Sequence, residues 1–426
     1  MKVVALAVLT ALVLAAPAAG KTYEVNKRSD HTPNGCKKKD CTLREAILAA
    51  NGDAGRDRIL LPDKKYRLAI ENTDPMVQED AALTGDLDVT DDLVLSHPGK
   101  GRAKVDANGI DAVLEIQQGA PTTLKRIGLV GGGGFAGAGV RARADLTVRR
   151  GLVADNHPEF GYGGGINLQF SAGLTLVKSV VANNSVGNDG GGIQGGLGPI
   201  LIKKSQVVGN RTGPLTPGGG LVVASESEPA RIVGSTIARN HADSYGGGVF
   251  MYGGSLSIVN STIAENTATD SGGGIYLNPD TDLQANAVTV VRNDAAAAGG
   301  GIYNNSASPV EFANSLIALN SAGLFPDCGD DGGPGQDYDS LGHNLIGNDT
   351  DCQGFTGTGD ITNANPKLGL LKNNGGPTQT VALKKGSPAI NKADKQSAPN
   401  KDQRGKKRRK KPDIGAYERV KKKKHR

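Results

Sequence analysis

The chain has 426 residues, 62 of them glycine and none tryptophan, with a formal net charge of +6. Glycine on this scale, with β-branched residues recurring in register and no sustained helical period, excludes a helical bundle and a disordered chain. The charge is uneven: residues 401–426 hold 14 Lys and Arg against three acids, so a body of net −5 carries a strongly basic end.

Residues 1–20 read as a secretory signal, with Lys2, an apolar run from Val3 to Ala16 and a small-residue zone ending at Gly20. That run is too short for a membrane span and no other stretch is longer, so no transmembrane segment is expected. The mature chain is expected outside the cytosol, secreted or loosely held at the cell envelope. In an exported chain Cys36 is expected to pair with Cys41, and Cys328 with Cys352. Zinc is the weaker assignment, because no histidine or second cysteine pair stands nearby at ligand spacing.

Residues 21–60 form an N-terminal unit. Thr22–Val25 is an opening strand, and Thr42 with Glu45 three places on is a capping box for a helix that ends at Asn51-Gly52. Leu43, Ala46, Ile47 and Ala50 make its apolar stripe. A short amphipathic helix ahead of a repeat array suits an end cap. Arg44 and Glu45 are read as cap and surface charge, not as a catalytic pair.

Residues 61–320 are the repeat block. A triple glycine followed by an apolar residue recurs at Ile166, Ile193, Leu221, Val249, Ile275 and Ile302, in steps of 27, 28, 28, 26 and 27. An apolar residue three places before an asparagine keeps the same beat, marking Asn156, Asn184, Asn210, Asn240, Asn266, Asn293 and Asn320. Between the marks lie short β-branched runs such as Leu256–Val259, separated by turn residues. Two or three short strands per unit predict one turn of a right-handed parallel β-helix, an all-β solenoid whose units bury their apolar faces only by stacking. The asparagines then form a structural ladder, each amide reaching its own turn and the neighbouring coil. The triple glycines are corners or close approaches, not a phosphate cradle.

Residues 321–398 break the beat as C-terminal coils with a disulfide-closed loop. Asp327, Asp330, Asp331, Asp337 and Asp339 offer oxygen ligands to calcium there, but their spacing matches neither the EF-hand loop nor the Gly-Gly-x-Gly-x-Asp repeat, and a solvated acidic loop is the simpler expectation. Residues 392–412 read as a flexible loop, and 399–426 as a basic tail that includes a final strand at Asp413–Glu418.

Cys41-Thr-Leu-Arg-Glu-Ala-Ile47 with Asn51 resembles the N-terminal signature of bacterial CSLREA-domain proteins, with Thr42 in place of their serine. Leu83–Asp92 and Asp106–Ile110 look like the first coils of the same proteins, and the repeats are similar to those of polymorphic outer-membrane proteins. Asn374–Thr378, Gly386–Asn391, Asp402–Gly405 and Asp413–Glu418 resemble the choice-of-anchor domain often paired with that signature. The resemblance covers nearly the whole mature chain and implies a secreted or surface right-handed parallel β-helix; the family has no settled activity. Only Arg419–Arg426, mostly lysine, follows the last motif, so a non-covalent tether is expected in place of a covalent anchor.

No enzyme constellation stands out. The histidines are scattered, Gly342-His343-Asn344 lacks partners, and no basic and acidic residues recur together on adjacent coils at one phase. The residue after each apolar mark gives a row of Asn167, Gln194, Val222, Phe250, Tyr276 and Tyr303, which strand alternation turns outward, with Tyr252 on the same face. Aromatics beside amides suit stacking on a glycan chain; they equally suit a cross-coil stack that stabilises the sheet. The basic end would attract an anionic envelope polymer, and without aromatic interleaving specific nucleic-acid binding is not expected. The expected function is non-enzymatic binding of a polysaccharide or anionic envelope polymer, with a polysaccharide lyase or glycoside hydrolase as the alternative.

Overall fold

The structure, a computed structural model, describes residues 19–72, 79–134, 139–225, 228–330, 332, 337–350 and 352–420. The signal segment up to residue 18, Asp331 and Lys421–Arg426 lie outside them.

The chain is a parallel β-solenoid of about nine turns. Sheet I has ten strands, from Leu87–Val89 to Cys328–Asp330. Sheet II has twelve, from Thr22–Glu24 to Asp339–Ser340. Sheet III has eleven, from Lys65–Arg67 to Leu345–Ile346, and sheet IV six, from Ser185–Val186 to Ser321–Leu324. Each coil runs I, II, III and back to I, with a sheet IV strand added after III from Ser185 onward. Equivalent residues pair directly, as Val249 with Ile275 and Ile275 with Ile302. These apolar residues point into a core in which they are at most 1% exposed.

Left-handed residues turn the coil. One coil uses Asn260 (φ 49°) between sheets II and III, Glu265 (φ 59°) before the ladder asparagine, and Gly272 (φ 70°) before sheet I. The triple glycine has three separate causes. At Gly272 the φ is positive and a Cβ would sit 2.6 Å from that of Tyr276; at Gly273 it would sit 2.4 Å from the Asp294 carbonyl, and at Gly274 2.4 Å from the Gly301 carbonyl of the next coil. The ladder follows: Asn240 Nδ2 donates to Asn266 Oδ1 at 2.9 Å and to the Val207 carbonyl at 3.0 Å. Both disulfides, Cys36–Cys41 and Cys328–Cys352, are formed.

Three expectations are corrected. Helix α1 (Leu43–Asn51) has its capping box, but Arg44 and Glu45 are not surface charge, being buried with 0% and 1% exposure. Arg44 grips both Asp30 carboxylate oxygens at 3.0 Å and donates to the carbonyls of Ala82, Thr84, Gly85 and Asp86. A buried guanidinium needs such complete pairing.

The stretch 392–412 is not a flexible loop. Residues 368–418 form an arm against the outer side of sheet III, covering Ala238, Ala264, Val291 and Ala318 with Leu371, Val381, Ala389 and Ile414. Polar side chains fasten it. Gln403 Nε2 donates to the Ser235 carbonyl and Thr236 Oγ1, and its Oε1 accepts from Thr262. Arg408, buried, donates to Asn260 Oδ1 and the carbonyls of Asp413 and Gly415. Much of the basic end is therefore part of the folded body.

The acidic 327–339 loop is not wholly solvated, and among the described residues no three of its carboxylates come together. Asp327 is buried and ends the asparagine ladder instead, its Oδ1 accepting from Asn320 Nδ2 at 2.9 Å and its Oδ2 from the Asn348 amide. Asp337 and Asp339 are exposed, and the Asp330 carboxylate accepts from the Gly332 amide.

Candidate functional site

The outward row of sheet I is longer than its amide and aromatic part. Its register runs Asp88, Glu115, Arg141, Asn167, Gln194, Val222, Phe250, Tyr276 and Tyr303, one residue per coil. Acids and an arginine thus do recur at one phase on adjacent coils, against the sequence-based expectation. The signal was there: stepping back from Asn167 by the same beat of 26 or 27 lands on Arg141, Glu115 and Asp88. In these coils no triple glycine stands directly before the inward apolar residue of sheet I, Leu87, Leu114 or Val140, so the glycine mark does not reach them.

At this end the charges are interlocked. Arg141 Nη2 lies 2.6 Å from Glu115 Oε2 and 3.0 Å from Asp86 Oδ2, and Arg143 Nη1 lies 3.1 Å from Glu115 Oε1. The segment from Glu79 to Asp86, held by Arg44, covers them; the Ala82 amide donates to Asp88 Oδ2 at 2.8 Å, while Asp88 Oδ1 is buried without a hydrogen-bond partner. Burial pushes the Asp88 carboxyl up to about 7, the charge of Glu115 adding to the rise and the Ala82 hydrogen bond opposing it. Burial also raises Glu115, against the pull of Arg141 and Arg143, and raises Asp86 well above the usual carboxylate range, with Asp88 adding to it. Asp80, Asp88 and Glu115 each bring a carboxylate oxygen to within 4.8 Å of the others, a spacing that suits the oxygen shell of a divalent cation.

Just past the ends of three successive sheet I strands, Gln117, Arg143 and Gln169 form a second, half-buried row. Arg143 Nη1 donates to Gln117 Oε1 at 2.6 Å and its Nε to Gln169 Oε1 at 3.1 Å. Asn167 is buried and Gln194 half-buried in the first row.

The aromatic part differs from the open stripe expected. Phe250 and Tyr276 are only 6% and 7% exposed, and Tyr303 is half-buried. Phe250 stacks on Tyr276 and Tyr276 on Tyr303, each with ring centroids 5.5 Å apart, and Tyr245 leans on Tyr276 at 4.7 Å. The coil spacing of roughly 4.8 Å brings successive rings into contact, so they cover one another's faces. Tyr252 alone of the row's aromatic neighbours stands out, 66% exposed.

The exposed apolar surface lies beside the row. Of the large apolar side chains exposed among the described residues, half flank sheet I between residues 160 and 252. Phe160, Tyr162 and Leu215 lie on the turns that enter it, and Phe170, Leu197 and Tyr252 on the turns that leave it. Phe170 is 71% exposed, and its carbonyl accepts from the Leu197 amide, so these two side chains stand on adjacent coils.

No family model matches the chain, and no curated protein matches it significantly.

Proposed function

We propose that this chain is an exported β-solenoid, akin to CSLREA-domain proteins, that binds a polysaccharide along sheet I without cleaving it. The observation that carries this reading is the set of exposed apolar side chains on the turns at both edges of that sheet, following a row of amide and guanidinium groups on the preceding coils. Rings and aliphatic side chains at the edges stack against the apolar faces of sugars, and Gln117, Arg143 and Gln169 address their hydroxyls. Two disulfides and the lack, among the described residues, of any helix long and apolar enough to cross a membrane are compatible with an extracellular place. The buried stack of Phe250 and Tyr276 holds the face in shape.

The test separates contact from support. Phe170→Ser with Tyr252→Ser, both at exposed sites, is expected to weaken retention on immobilised neutral glycans roughly tenfold with an unchanged melting temperature. Tyr276→Ala, in contrast, is expected to lower stability by about 3 kcal/mol. Unchanged retention by the double variant would remove sheet I as the binding face.

A second reading, glycan cleavage, is favoured by one observation: a carboxyl raised to about 7 next in the row to Glu115, which Arg141 holds. Such a group is matched to acid–base work near neutral pH. Its cover by the Glu79–Asp86 segment places it second.

A further inference from the structure

We infer that a second binding site, for a linear acidic polysaccharide, lies on the corner between sheets II and III, independent of the reading of sheet I. The corner residue of each coil is left-handed, and on four successive coils it is basic: Arg126, Arg150, Lys178 and Lys204. They are in register, since the amides of Arg126, Arg150 and Lys178 donate to the carbonyls of Arg149, Val177 and Lys203 on the following coil. Strand spacing therefore sets a cation about every 4.8 Å along the rod.

Two adjoining depressions, of about 450 and 580 Å³, share Arg126 and Arg150. Lys104 and Lys178 add further positive charge, and no carboxylate lines either hollow. The guanidinium of Arg126 donates to the Gly99 carbonyl at 2.5 Å and that of Arg102 to the Arg150 carbonyl at 2.8 Å, so neutral backbone positions these cations.

The second observation is His97 in the wall of the smaller hollow. It is 5% exposed, and its Nδ1 donates to the Leu61 carbonyl at 2.8 Å. That tautomer leaves Nε2 as an acceptor, and Nε2 is buried with no partner. Gly99 packs over this nitrogen, a Cβ there falling 2.7 Å from it, so His97 braces the turn behind the hollow and the cations carry the recognition. A polyuronate, a linear chain of regularly spaced carboxylates, fits such a ladder. No Phe, Tyr or Trp lines either hollow, so the large stacking rings of a single-strand binder are missing there.

The test is a calorimetric titration of the full chain with a polygalacturonate oligomer, its uncharged methyl ester and single-stranded DNA. The acidic oligomer is expected to bind with an affinity that falls as salt rises, and the ester not to bind detectably. Arg150→Asn with Lys178→Asn keeps side chains that tolerate the left-handed corner. This variant is expected to bind the acidic oligomer roughly tenfold more weakly at an unchanged melting temperature. Phe170→Ser with Tyr252→Ser is expected to leave that affinity intact, which separates this site from sheet I. Full affinity in the Arg150 and Lys178 variant would overturn the proposal, as would DNA binding as tightly as the polyuronate.

Discussion

Asp88 shows how strongly the first coils differ from the rest. Its carboxyl is raised by burial from its ordinary 3.8 to about 7, so the folded state keeps a proton that the unfolded state releases between those values. Its contribution to stability is thus fully present below about pH 4 and declines as pH rises towards about 7. Asp86 and Glu115 are raised as well and act in the same direction. Asp88→Asn keeps an oxygen for the Ala82 amide and removes the titration. Denaturant midpoints at about pH 4 and about pH 8 should show the native chain losing stability on the alkaline side, and the variant losing clearly less. An equal or steeper loss in the variant would show that Asp88 is not the proton holder. Arg44 belongs to the same unit, because it fixes the segment that closes over these acids.

The repeating element is where sequence and structure agree best. The glycine and asparagine marks are legible because each is a backbone demand that successive coils from Asn156 to Asn320 meet with the same residue type. Asn240 accepts from the Asn210 amide and side chain and donates to Asn266 and Val207, all in the buried turn. Asn240→Ala leaves those groups unpaired on both neighbouring coils, and a loss of about 3 kcal/mol is expected by chemical denaturation. A loss below about 1 kcal/mol would mean that the ladder adds little beyond sheet hydrogen bonding. The serine ladder went unread, although Ser179, Ser205 and Ser235 stand at equivalent turns, the Ser179 amide donating to Ser205 Oγ and the Ser205 amide to Ser235 Oγ. Serine is common in turns of every kind, so its recurrence drew no notice. The outward placing of Phe250 and Tyr276 follows from strand alternation. Their burial does not, because it depends on rings in the coils above and below.

For the whole molecule, hydropathy describes the solenoid and is silent on the arm. Residues 401–411 look like a solvated basic run because few large apolar residues stand there. Gln403 and Arg408 instead fasten it through hydrogen bonds to Ser235, Thr236 and Asn260, more than 140 residues away in sequence. Similarly, the corner cations are spread over four coils and gather only when the chain is wound. The solenoid presents a row of polar and aromatic groups with apolar flanks on sheet I and a line of cations at the corner between sheets II and III.

The most direct test of a rod that binds without cutting is product size. The mature chain would be incubated with neutral and acidic polysaccharides, with and without calcium, and glycan chain length read by mass spectrometry. Retention of the glycan with its length unchanged is the predicted result. Shortening of any one polysaccharide, lost in Asp88→Asn, would contradict it and make the carboxylate cluster of sheet I an active site.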